Sequence, residues 1–266
     1  DKWIDFGQFY HQSDAVQIKQ ALKRLFQDTC GAWYANLGQL YPRDLAVDYQ
    51  DTLCCSLEEI EKTAFEQLAS SVFMRNDRLF FDSLSERKDF THPFRAIAGE
   101  AFIYPTYECI THGDLNQHNI LVDSVGLMWL VDFECTRRSH ILRDVATLDA
   151  VVRFQLLEEG EATLDECLAM EKVLCSIERF SQVEQLVGQF QTSNVALAKA
   201  YDTVVQLRLL ACWMVDQNPS DDIGEYYVAL LYNALNTLQF SSLSTRQHEH
   251  ALLSASLLAD KLTLDS

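Results

Sequence analysis

Two short apolar runs, Ile120-Leu121-Val122-Asp123 and Leu127-Met128-Trp129-Leu130-Val131, flank the turn-forming Asp123-Ser124-Val125-Gly126 and constrain this fold most tightly. Runs this short, joined through Asp, Ser and Gly, predict a β-hairpin. Most of the remaining pattern is helical. Residues 14–28 place Ile18, Leu22, Leu25 and Phe26 on one stripe, with Ser13 as the expected N-cap. Residues 49–73 do the same with Leu53, Leu57, Ile60, Ala64, Leu68 and Val72. Downstream, helices are expected near 141–157, 163–179, 181–190, 195–216, 222–239 and 245–262, with breaks at Asn218-Pro219-Ser220 and Ser241-Ser242. From Arg75 to Pro105 the helical period fades. Arg78 to Leu84 and Ala101 to Tyr104 read as short strands there, and Glu86 to Pro93 as a loop. Arg137, Arg138 and Ser139 read as loop. The expected class is mainly α (α+β), a helical body carrying one small hairpin. Strands and helices do not alternate, which argues against a doubly wound sheet.

The chain has 266 residues, enough for one large domain or two small ones. Its 39 acidic against 21 basic residues give a net charge of −18, which repels a nucleic-acid backbone and excludes that partner class. Cationic small substrates or basic proteins suit such a surface, and solubility alone explains it equally well. None of the eight Cys forms a C-x-x-C pair or a His/Cys ligand spacing, so the expectation is a reducing, cytoplasmic setting without structural zinc. No apolar run is long enough to span a membrane, and no basic-then-apolar leader is visible.

The chemistry concentrates around the hairpin. Thr111-His112-Gly113-Asp114-Leu115-Asn116-Gln117-His118-Asn119 precedes it, and Leu130-Val131-Asp132-Phe133-Glu134 closes it. Asp114, a loop carboxylate, suits acceptance of a proton from a substrate hydroxyl. Asn119 offers a neutral oxygen and Asp132 an anionic one, both hard ligands for Mg²⁺. The hairpin fixes their separation. Gly113 permits a turn that other residues resist, and His112 is placed to bond nearby carbonyls.

These residues resemble the aminoglycoside phosphotransferase family of the protein-kinase-like fold, which shares the His-x-Asp, Asn and Asp-Phe order. Ser139-His140-Ile141-Leu142-Arg143-Asp144-Val145-Ala146 is similar to the family's Asp-Leu-Ala segment. In closer detail the chain resembles a bacterial ternary complex associated domain branch, found within multidomain signalling or conflict proteins. The motif-bearing likeness covers residues 108–150. It implies an ATP- and Mg²⁺-dependent kinase transferring phosphate to an alcohol of an unknown small molecule or protein. Asp114 and Asn116 would be catalytic, and Asn119 and Asp132 would hold metal and cofactor. His112, Gly113 and Asp144 would support the loop, Asp144 through backbone N–H groups; the alternative for Asp144 is an ordinary acidic residue at a helix N-terminus. Asn116 stands where protein kinases carry a Lys, and Glu134 where they carry Gly, a position read as solvent-facing.

By the same resemblance residues 1–266 form a single large helical lobe: a helical part with a loop at 1–107, the catalytic loop and hairpin at 108–150, and a C-terminal helical part at 151–266. No Gly-rich phosphate loop precedes Asp114. A nucleotide lobe is therefore expected upstream as a partner; the alternative is a non-catalytic scaffold with protein partners. Other candidates are weaker. His248 and His250 stand two apart on a helix and face different ways. His11 and His92 are isolated. Arg137-Arg138 reads as a solvated pair, and Phe80-Phe81 and Tyr226-Tyr227 as packing.

Overall fold

The computed structural model describes residues 3–263. Helices dominate, and four small antiparallel sheets decorate them, an α+β architecture. In chain order the first elements are β1 (Ile4–Asp5), α1 (Phe6–Gln12) and α2 (Ala15–Lys23), the last continuing as a π-helical turn over Arg24–Thr29. Next come α3 (Gly31–Tyr34), β2 (Tyr41–Asp44), α4 (Leu45–Gln50), α5 (Leu57–Gln67), β3 (Val72–Arg75), β4 (Arg78–Phe81), β5 (Phe90–Thr91), α6 (Pro93–Ala96), β6 (Ile103–Thr106) and β7 (Glu108–Thr111). The hairpin is β8 (Ile120–Val122) and β9 (Met128–Leu130), followed by β10 (Arg137–His140). The helical body is α7 (Arg143–Phe154), α8 (Leu164–Leu174), a 3₁₀ segment Phe180–Leu186, α9 (Val195–Met214), α10 (Gly224–Thr237) and α11 (Thr245–Thr263).

The hairpin forms as expected, pairing Ile120 with Leu130 and Val122 with Met128. Its turn is built by Asp123, whose Oδ1 accepts the N–H groups of Val125 and Leu127, both at 2.9 Å. Gly126 takes a left-handed φ of 78° there. Inward residues Ile120, Val122 and Met128 are buried, while Val125, Leu127, Trp129, Val131 and Phe133 are exposed. Trp129 meets Trp3 edge-on at 5.4 Å. β1 adds a third strand by pairing with β8.

Several expectations need correction. The helix expected over 49–73 is two helices, α4 and α5, with Val72 already in β3. Ser56 caps the second helix through a reciprocal box with Glu59, a start signal that the apolar stripe masks. The cap of α2 is Asp14, boxed with Gln17, not Ser13. Arg137–Ser139 is strand, paired with Thr111–Cys109. The region ahead of Asp114, expected to be mostly helical, also carries the strands β1 to β7. Strands of two to four residues are too short to print a period of two.

The core lies among α7, α9, α10 and α11 and contains charge. Arg153 on α7 bonds Asp149 at 2.6 Å and Glu171 at 2.9 Å, and Asp149 also accepts from Arg208 and from the Tyr226 hydroxyl. His250 meets Glu171 at 2.8 Å, and Ser254 donates to it. All these side chains are buried. Burial opposes charge on Glu171, but Arg153, His250 and Ser254 outweigh it and hold the carboxyl down to about 2. Burial likewise opposes His250, and Cys167 and Glu171 outweigh it, raising the imidazole to about 9.

Candidate active site

Sequence places Asp144 in the first turn of α7, and the fold buries it completely. Its Oδ2 accepts the His112 N–H at 2.8 Å and the Tyr34 hydroxyl at 3.0 Å; its Oδ1 accepts the Gly113 N–H at 3.0 Å. The loop is thus bound to the helical core by one carboxylate. Burial pushes that carboxyl up, and the two N–H groups and the hydroxyl oppose the push. Gly113 has a φ of 85°, and a Cβ there would run into the Cys135 carbonyl oxygen. Only glycine satisfies both demands.

His112 works in the other direction. Its buried ring donates from Nε2 to the Val131 carbonyl at 2.9 Å and lies 5.5 Å from the Phe133 ring. It therefore fixes the residues on either side of Asp132. Asp132 itself has a φ of 62°, an uncommon left-handed conformation for a residue with a side chain. Backbone of this kind persists only where surroundings impose it, and such positions cluster at functional sites.

Beyond Gly113 the loop turns on itself. The Asn116 N–H donates to the Asp114 carbonyl, and the Asn119 N–H to the Asn116 carbonyl. The Asn116 amide donates to Asp114 Oδ1 at 3.0 Å, and its own oxygen accepts the His118 N–H. Asn119 donates its amide to the Asp114 carbonyl at 2.8 Å and to Asp114 Oδ2 at 3.0 Å. That fixes which way the Asn119 amide faces: its nitrogen is used on Asp114, and its Oδ1 has no hydrogen-bond partner among the described residues. The Val131 N–H donates to the Asn119 carbonyl, extending the hairpin ladder so that Asn119 and the residue before Asp132 are direct neighbours.

The structure thus brings together Asp114, Asn116, Asn119 and Asp132, with His112, Gly113 and Asp144 beneath them. Asp114 and Asp132 are exposed, and no ion pair of either is present among the described residues. Glu134 is exposed as well. Burial and then Asp114, Glu134 and Asp132 push the neighbouring Cys135 thiol up, against the opposing charge of Arg137. The rim is acidic, with Arg137 as the opposing charge. Arg138, by contrast, is engaged elsewhere, donating to the Asn36 side chain and carbonyl. Sequence reasoning missed Tyr34 and the His118–Asp5 pair at 3.2 Å. Neither has a local signal, because Tyr34 reaches Asp144 across 110 residues and Asp5 reaches His118 across 113.

Two sequence likenesses fit a kinase-like family. A 3-deoxy-D-manno-octulosonic acid kinase of Photobacterium profundum is 36% identical over 67 residues, 25% of this chain and 28% of the relative. The chain therefore spans little more than a quarter of that relative's length, and the match hints at kinase-like phosphotransfer. The sequence model described as Ternary complex associated domain 9 matches residues 83–239, more than half of the chain, and the chain belongs to that family. No helix among the described residues is long and apolar enough to cross a membrane.

Proposed function

We propose that this chain is the acceptor- and metal-binding part of an ATP- and Mg²⁺-dependent phosphotransferase acting on an alcohol. One observation carries the reading: the Asn119 amide spends its nitrogen on Asp114 and leaves its Oδ1 unbonded, while the Asn119 backbone pairs with Val131, the residue before the exposed, left-handed Asp132. Among the described residues no set of three His, Cys, Asp or Glu side chains converges to hold a metal. Mg²⁺ does not need one, since it favours one or two protein oxygens completed by phosphate and water. Asn119 and Asp132 fit that role. When bound, the cation supplies charge neutralisation to the phosphates.

Asp114 does the remaining work in this proposal. Each of its oxygens accepts one amide hydrogen bond, which fixes the carboxylate plane and leaves lone pairs for a substrate hydroxyl. As the hydroxyl oxygen bonds to the γ-phosphorus, the bond from that phosphorus to the bridging oxygen breaks with its electron pair on ADP. The hydroxyl proton passes to Asp114. Asn116 positions Asp114 and supplies no charge. The covering element for the nucleotide base is assigned to an N-terminal lobe outside these residues, and the setting to the cytoplasm. The acceptor is a small-molecule or protein alcohol; the relative named for a sugar-acid kinase supports an alcohol.

A second reading, an interaction scaffold with protein partners inside a multidomain bacterial protein, is favoured by the same two amides, which already occupy a lone pair on each Asp114 oxygen. Calorimetry of ATP with and without Mg²⁺, on the protein at its native full length, separates the two. Mg²⁺-dependent binding that Asp132→Ala removes, with turnover lost in Asp114→Ala, is the expected result. Equal binding by Asp132→Ala refutes the metal assignment, and no binding at all leaves the scaffold.

A further inference from the structure

Two of the eight cysteines are neighbours in sequence, Cys54 and Cys55, on the connection between α4 and α5. Cys54 is exposed and Cys55 half-buried. We propose that this pair is a thiol–disulfide exchange site, at which a small-molecule disulfide converts the two adjacent thiols into a reversible ring disulfide.

The connection is anchored at both ends and free in the middle. On one side the Thr52 hydroxyl donates to the Tyr49 carbonyl at 2.7 Å and accepts from Arg143 at 2.9 Å. On the other, Ser56 and Glu59 cap α5 reciprocally. Between them, the backbone N–H and C=O groups of Cys54 and Cys55 form no hydrogen bond among the described residues. The Cys55 thiol has one weak partner, the Gln239 side-chain oxygen at 3.3 Å.

That freedom matters because of ring size. Adjacent Cα atoms lie about 3.8 Å apart across a trans peptide, whereas ordinary disulfides span roughly 4.4–6.8 Å. A disulfide between neighbours must distort the backbone and is correspondingly easy to reduce. Here the distortion breaks no backbone hydrogen bond. Easily reduced disulfides are the labile kind that form transiently in a reducing compartment.

The chemistry balances in two exchanges. Burial and nearby Glu59 push the Cys55 thiol up, so exposed Cys54 is the first nucleophile. Its thiolate attacks one sulfur of oxidised glutathione, forming a mixed disulfide and expelling one glutathione thiolate. The Cys55 thiolate then attacks the Cys54 sulfur, closing the ring and expelling the second. Two protein thiols are oxidised, one small disulfide is reduced to two thiols, and the two protons pass to the departing thiolates through solvent. Cys135 is the internal comparison: it is exposed, but no second cysteine adjoins it, so its reaction stops at the mixed disulfide.

The test exposes the folded protein to excess oxidised glutathione, alkylates the remaining thiols and maps peptides by mass. The expected Cys54–Cys55 peptide has lost two hydrogens, carries no glutathione and regains both thiols with dithiothreitol. Cys55→Ser is expected to trap glutathione on Cys54. A wild-type peptide that retains glutathione, or that remains a dithiol in excess oxidant, overturns the proposal. Neither result depends on the phosphotransferase reading.

Discussion

Asp144→Asn tests how the catalytic loop is held. The wild-type carboxylate accepts three hydrogen bonds, from the N–H groups of His112 and Gly113 and from the Tyr34 hydroxyl. The amide keeps one acceptor oxygen. If that oxygen replaces Oδ2, Gly113 faces an NH₂ group and its buried N–H is orphaned, which costs about 1–3 kcal/mol. The two surviving bonds fall from charge-assisted to neutral strength, a loss of roughly 1 kcal/mol each. Relief from burying a charge, the effect that pushes Asp144 up, offsets part of that gross loss. The net expectation is a destabilisation of about 2–3 kcal/mol. At a urea m-value near the upper end of ~3 kcal/mol/M, the midpoint drops by about 0.7–1 M. If the loss is local, amide exchange at Gly113 accelerates by roughly 30- to 150-fold. A variant with an unchanged midpoint and unchanged exchange at His112 and Gly113 would refute the brace.

Three further outcomes follow from the same geometry. Gly113→Ala should cost more than Gly99→Ala: both glycines have positive φ, worth about 1–2 kcal/mol to an alanine, but only at Gly113 does a Cβ meet backbone. Equal melting temperatures would remove the Cys135 contact from the argument. Glu171→Ala leaves His250 without its carboxylate and Arg153 with only that of Asp149, and should destabilise by roughly 3–5 kcal/mol in thermal unfolding; a loss under about 1 kcal/mol would contradict the buried network. His250 holds its proton up to about 9 when folded, against an ordinary value of 6.5. Its stabilisation is therefore complete below pH 6.5 and is lost as pH rises through 9, because unfolding then releases the proton. Urea midpoints across that range should fall for the wild type and stay level for His250→Gln; parallel curves would refute the assignment.

The legible parts of this molecule are those whose signal is local. The hairpin is readable because Asp123 and Gly126 carry turn chemistry between two apolar runs, and the long C-terminal helices because their period repeats over many residues. The polar loop is readable from His112 to Asn119, where spacing alone sets which residues share a turn. The short strands β2, β3 and β5 are not, since their pairing partners lie far off or their length shows no period. The buried charges leave a fainter trace. Asp149 and Arg153 stand four apart on α7 amid apolar residues, a polar pair that a surface face would not place there. His250 shows nothing local that points to Glu171 across 79 residues.

The exposed Val125, Leu127, Trp129, Val131 and Phe133 on and beside the hairpin have a colloidal consequence. Exposed apolar side chains gathered in one part of a chain are adhesive between copies. At neutral pH a net charge of −18 keeps copies apart by mutual repulsion. The isoelectric point lies near 4.6, so acidification removes the repulsion while leaving these side chains exposed. The acidity of the chain, which says little about its ligands, thus sets the conditions under which its hairpin can remain uncovered in water.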